Sequence, residues 1–153
     1  MDISILKAIY LFSEFSEQEL KKVLEICTEK NSMPGQEVFS IGQRAESLFV
    51  VTMGSIQISV NSQEGDELKI RHFGSGSHFG EMAFLDNSPR SATATATENS
   101  HLLEIRYDRL GQILEAEPGM AIKFYRSTAK FLTTRLRATT SDLNQLREQR
   151  FHN

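Results

Sequence analysis

Apolar residues recur along this chain with a helical period at both ends and a strand period in the middle. Near the start, Ser16-Glu17-Gln18-Glu19 has the form of a capping box, and Phe15 with Leu20 suits the hydrophobic staple that accompanies it. Leu20, Val23, Leu24 and Cys27 follow at i, i+3, i+4 and i+7. This spacing predicts an amphipathic helix with Cys27 in its buried stripe as a small hydrophobe. Pro34-Gly35 then punctuates, and short strands are expected to begin.

Leu48-Phe49-Val50-Val51 is a continuous apolar run, the mark of a strand covered on both faces. After Gly54, Ile56, Ile58 and Val60 alternate with Ser55, Gln57 and Ser59, which predicts a half-buried strand. Gln63-Glu64-Gly65-Asp66 reads as a hairpin turn into a strand over Leu68–Phe73, and Gly74-Ser75-Gly76-Ser77 breaks the chain again. Ser91 to Thr97 alternates hydroxyl residues with alanine, and His101–Ile105 resumes strand character. Several short strands between turn residues predict a mainly β fold, a jelly-roll β-roll, rather than a parallel α/β sheet.

From Asp108 the helical period returns. Leu110, Ile113 and Leu114 share a face, the helix stops near Glu115–Glu117, and Pro118 suits the first position of a new helix. In that last helix Ile122, Tyr125, Ala129, Leu132, Leu136, Thr139, Leu143 and Leu146 are spaced alternately by three and four. This is a sustained heptad seam. A helix over 118–148 would be roughly 45 Å long. Its first half suits packing on its own β-roll, and its second half suits a partner copy. The expected organisation is one domain, with a β-roll and N-terminal helices over 1–117 and a capping and dimerisation helix over 118–153.

Composition narrows the classes. The chain has 153 residues, enough for one domain with a real core, and no apolar run long enough to span a membrane. Its N-terminus lacks the features of a signal peptide. One cysteine excludes a disulfide framework and fits a reducing cytoplasm. Seventeen basic residues against twenty acidic ones leave a net charge of −3, which argues against nucleic-acid binding by bulk charge. A small anionic ligand needs only a local positive site.

The residues that suit such a site lie in Phe79-Gly80-Glu81-Met82-Ala83-Phe84-Leu85-Asp86-Asn87-Ser88-Pro89-Arg90-Ser91-Ala92-Thr93. Gly80 lets a ligand approach the backbone. Glu81 to Phe84 suits one helical turn with free N–H groups, and Arg90 supplies a fixed fork of donors for a phosphate. Ser91 and Ala92 are small enough for their N–H groups to reach the same anion. Glu81 would repel a phosphate, but as an acceptor it suits a sugar hydroxyl. A ribose phosphate fits these residue types. His72, His78 and Glu81 also invite a metal-binding cupin reading, but their spacing suits surface or turn histidines better.

The stretch resembles the phosphate-binding cassette of the cyclic-nucleotide-binding domain family, F-G-E-x-A-x(n)-P-R-x-A-T, including the eight residues between Glu81 and Arg90. Leu11-Phe12-Ser13, Ser16 and Glu19-Leu20 are similar to that family's helical lead, and Pro34-Gly35, Gly42, Ser47–Val51 and Gly54 to its first strands and turns. The resemblance implies that Glu81 accepts from the ribose 2′-hydroxyl and Arg90 pairs with the cyclic phosphate. Gly80, Met82, Ala83, Ser91 and Ala92 would line phosphate and ribose. It further implies that Arg135, Thr139 and Thr140 resemble residues of the long helix in the family's bacterial transcription factors, where that helix dimerises and closes over the base. The expectation is a non-catalytic sensor for cAMP, with cGMP the second choice, acting as a homodimer on another protein in trans. The family's transcription factors continue into a DNA-binding domain. This chain ends at Asn153, and no DNA or membrane partner is expected. The alternatives are a dimerisation scaffold with a vestigial pocket and a cupin-type metalloenzyme.

Overall fold

The computed structural model describes residues 2–152. Its strands are β1 (Cys27–Ser32), β2 (Glu37–Phe39), β3 (Ser47–Met53), β4 (Ile56–Asn61), β5 (Glu67–Phe73), β6 (His78–Phe79), β7 (Thr93–Ala96) and β8 (Ser100–Arg106). They form two four-stranded antiparallel sheets, ordered β1-β8-β3-β6 and β2-β7-β4-β5. Helices α1 (Ile3–Lys7) and α2 (Glu17–Glu25) precede the sheets, α3 (Met82–Asp86) interrupts them, and α4 (Tyr107–Ala116) and α5 (Pro118–His152) follow. The fold is therefore mainly β, a β-roll with flanking helices and a long C-terminal helix. No helix among the described residues is long and apolar enough to cross a membrane.

The continuous apolar run on β3 is explained by two cores. Leu48 and Val50 point into a cluster with Leu103, Ile105 and the helices, while Phe49 and Val51 point into the space between the sheets with Phe79, Ala94 and Leu102. Alternate residues of one strand thus serve both faces. The capping box forms as read, with Glu19 N–H donating to Ser16 Oγ and Ser16 N–H to Glu19 Oε1. The turn before β5 also forms, with Gly65 at φ 88°, a conformation glycine adopts without penalty.

Three local readings are corrected. Cys27 is not in the helix: α2 ends at Glu25, and Cys27 opens β1, paired with Ile105. It still packs as a small hydrophobe against the helical core, and burial pushes its thiol up to about 12. β1 itself precedes the expected first strand, because Thr-Glu-Lys-Asn-Ser carries no apolar signal and is recruited by pairing with β8. In β4 the register shifts between Ile58 and Ser59, so Ser59 is buried and Val60 is not. A bulge there breaks the two-residue alternation.

α5 packs on the roll through one face only. Met120, Phe124, Ser127 and Thr128 are buried, and Phe124 stacks on Phe12 with ring centroids 6.1 Å apart. The heptad face is elsewhere: Ile122, Tyr125, Leu136, Leu143 and Leu146 are all exposed. Glu14 anchors the first half of α5, accepting from Arg126 at 2.6 Å and from Ser127 Oγ at 2.9 Å. Glu19 accepts from Lys123 at 2.7 Å, and Lys22 donates to Glu117.

Arg126, and then Ser127, hold the Glu14 carboxyl down from 4.5 to about 2. A depressed carboxyl stabilises the fold above its unfolded value and loses that contribution as pH falls through its folded one. Glu14→Gln should therefore lower Tm at neutral pH, and the gap to the parent should close between pH 4.5 and about 2. Thermal melts across that range check this, and a constant gap contradicts it.

Candidate functional site

The stretch from β6 to β7 folds back on itself and encloses a cavity of about 380 Å³, lined also by Phe39, Ile58, Ile70, Arg71, Phe73 and Arg135. That volume lies in the range of small-molecule sites. Gly80 turns the chain at φ 83°, and a Cβ there would sit 3.0 Å from Arg90 Nη1. Glycine is therefore required both for the backbone and for the close approach of Arg90.

Arg90 is buried, and its guanidinium is held on three sides. Nη2 donates to the Ser47 carbonyl at 2.5 Å, and Nη1 donates at 3.1 Å to the Gly80 carbonyl and to the Tyr107 hydroxyl. The Phe39 ring lies 3.9 Å beneath it. Its Nε is buried without a partner. Among the described residues no carboxylate pairs with it, so it is not a surface salt bridge. Tyr107, the first residue of α4, also donates to Gly80 O, and burial pushes its hydroxyl above the usual phenol range.

Glu81 is 2% exposed. Its Oε2 lies 3.5 Å from His78 Nδ1 and its Oε1 lies 3.7 Å from Arg135 Nη1, with no hydrogen bond to Oε1. Burial pushes the Glu81 carboxyl up, but His78 and then Arg135 outweigh this and hold it below the usual carboxylate range. Among the residues lining the cavity, Arg71, Arg90 and Arg135 stand against Glu81 and Asp86, an excess of one positive charge. Buried orphans of this kind, an N–H on Arg90 and an oxygen on Glu81, call for partners. A monoanion carrying a hydroxyl donor would supply both.

The pattern of the cyclic nucleotide-binding domain matches residues 29–117, more than half of the chain. The chain belongs to the cyclic nucleotide-binding domain family. The fold agrees with that of the Thermus thermophilus catabolite activator protein at a TM-score of 0.78 and 26% identity, covering 90% of this chain and 62% of that one. The regulatory domain of Toxoplasma gondii PKA, solved with cAMP, gives a TM-score of 0.69 and 31% identity over 72% of this chain and 42% of that one. Among curated relatives, Glutaminase 2 of Bradyrhizobium diazoefficiens is 29% identical over 136 residues, 89% of this chain but 21% of the relative. The chain spans about a fifth of the length of the first curated relatives it matches.

Within this cyclic nucleotide-binding domain, Gly80, Glu81, Met82, Ala83, Arg90, Ser91, Ala92 and Arg135 all line the one cavity. Thr139 and Thr140 do not. Both are exposed, and their hydroxyls donate to the carbonyls of Arg135 and Leu136 one turn back. His78 corrects the surface reading of the histidines, being 4% exposed beside Glu81. His72 lies on β5, in the other sheet, and contacts Ser55, so the histidines do not converge on one centre. Sequence reasoning missed Tyr107 and the aromatic wall, and it placed His78 at the surface rather than beside Glu81. The bulk of Phe39, Phe73 and Phe79 was visible in the sequence, but only the packing of the sheets brings the rings of Phe39 and Phe73 each within 6 Å of that of Phe79.

Proposed function

We propose that this domain is a non-catalytic cyclic nucleotide sensor that captures cAMP in the cavity between β6 and β7 and passes the signal on through α5. The observation that carries the reading is the pair of buried, unpartnered polar atoms, Arg90 Nε and Glu81 Oε1, on residues lining one cavity with one excess positive charge. A cyclic phosphate has the single negative charge to match. Arg90 would turn its fork to the phosphate, with Ser91, Ala92, Met82 and Ala83 around it, and Glu81 Oε1 would accept from the ribose 2′-hydroxyl. The base would then lie towards Ile58, Ile70 and Arg71. Arg71 supports cGMP as the second ligand, since an arginine fork suits guanine O6 and N7.

In this reading residues 1–117 capture the ligand and 118–153 cap it and dimerise. Arg135 is the link, because it stands on α5 and lies 3.7 Å from Glu81. A ligand hydroxyl on Glu81 would displace that pairing and shift the population of helix placements. The exposed heptad face of α5 supports a homodimer in which Thr139 and Thr140 close over the base from both chains. The output is passed to a second protein or domain, in the cytoplasm, where cyclic nucleotides act.

Glu81→Ala tests the sugar assignment. It should weaken cAMP binding less than loss of Arg90 does, and it should narrow the preference for cAMP over 2′-deoxy-cAMP. Competition with both nucleotides measures this, and an unchanged preference removes the hydroxyl role.

A further inference from the structure

The ligand reading leaves His78 without a role. It stands on β6, is 4% exposed, and neither of its ring nitrogens has a hydrogen-bond partner. It does not line the cavity and reaches it only through Glu81, whose Oε2 lies 3.5 Å from Nδ1. The Phe131 ring of α5 covers it, with centroids 4.5 Å apart. The charged groups that face it are Glu81, from the β6–α3 junction, and Arg135 from α5, 3.7 Å from the other oxygen of that carboxylate. From β3 it meets its pairing partner Val50. The Glu81 carboxylate is thus approached from both sides, by a permanent cation at Oε1 and by an imidazole at Oε2.

We propose that His78 is a positioning residue that holds Glu81 at Oε2 so that Oε1, which accepts no hydrogen bond in the free domain, can exchange Arg135 for the ligand's hydroxyl, and that its protonation couples cyclic nucleotide binding to proton uptake. The proposal rests on the ligand reading given above. Its direction follows from charge. With a neutral ring, Arg71, Arg90 and Arg135 exceed Glu81 and Asp86 by one charge; a protonated ring beside the cavity adds to that excess. An incoming phosphate anion therefore favours the protonated ring, and by linkage a lower pH favours the anion. Histidine is the side chain that changes charge between about pH 5 and 8. Arg135 stays charged across that span, and Glu81, held below the usual carboxylate range, stays ionised through most of it.

The test is a calorimetric titration of the full chain with cAMP between about pH 5 and 8, on the parent, His78→Gln and His78→Phe. The parent should bind about threefold to tenfold more tightly at the acid end, within the tenfold per pH unit that one linked proton permits. His78→Gln keeps an N–H donor for Glu81 but does not titrate, so it should match the parent at the alkaline end and be flat with pH. The other three histidines remain in this variant, so the difference between its profile and the parent's reports His78 alone. His78→Phe keeps the aromatic contact with Phe131 but has no donor, and it should bind about tenfold more weakly at every pH. Both variants change packing, but packing alone would not flatten the pH profile. A parent profile that is flat, or one that persists in His78→Gln, overturns the role of His78 and leaves the ligand reading standing. A parent that binds no cyclic nucleotide at any pH overturns both.

Discussion

Replacing Arg90 by alanine should weaken cAMP binding by at least about 2 kcal/mol, roughly thirtyfold, because a buried phosphate would lose its charge-assisted fork. The variant should also be less stable. In the free domain the guanidinium satisfies the carbonyls of Ser47 and Gly80 and the hydroxyl of Tyr107, and it packs on the Phe39 ring. Leaving such groups unpaired costs about 1–3 kcal/mol each where water cannot replace the donor. Arg90→Lys separates the two effects, since it keeps the charge but not the fork. It should restore part of the affinity and little of the stability. Calorimetry and thermal melts on both variants check this, and an alanine variant that binds like the parent removes Arg90 from the phosphate.

Cutting the chain after Arg137 should convert a dimer into a folded monomer. Every residue from Leu136 to Phe151 is exposed, whereas the α5 residues that pack on the roll, Met120, Phe124, Ser127 and Thr128, all precede the cut. The lost segment carries Leu143 and Leu146, which continue the heptad face begun by Tyr125, Leu132 and Leu136. In a parallel pair in register, Asp142 at g faces Arg147 at the following e, a rim contact worth about 1 kcal/mol or less that sets orientation more than affinity. The truncated chain should keep its melting transition and bind cAMP more weakly, because Thr139 and Thr140 are gone. Light scattering on both proteins decides the point. A full-length monomer at tens of micromolar would sink the dimer and the shared closure of the base.

The cassette was legible because its chemistry is local. Gly80, Glu81, Arg90 and the small residues after it lie within one short stretch, which turns at Gly80 and again at Asn87, and all line one cavity. The double-sided burial of β3 was likewise written in its own run of apolar residues. What was illegible depends on partners distant in sequence. β1 is a strand because β8 offers it a ladder, and its polar residues give no sign of that. Cys27 continues the helical spacing, yet the backbone leaves the helix at Ile26, where its N–H closes on Val23 and Leu24, and the sheet takes the next residue. Pairing overrode periodicity there. Tyr107 meets Arg90 only because β8 delivers the start of α4 beside the cassette. His78 carries an unremarkable spacing, and the Phe131 ring that covers it stands on a helix separated from it in sequence by β7, β8 and α4.

Everything above depends on the cavity binding a cyclic nucleotide through the cassette. Isothermal titration of the unmodified chain with cAMP, cGMP and 5′-AMP tests it most directly. Saturable binding of cAMP at one site per chain is expected, with weaker binding of cGMP and much weaker binding of 5′-AMP, whose second phosphate charge exceeds the single positive excess of the site. Absence of saturable binding by either cyclic nucleotide, or equal binding of 5′-AMP, would contradict it.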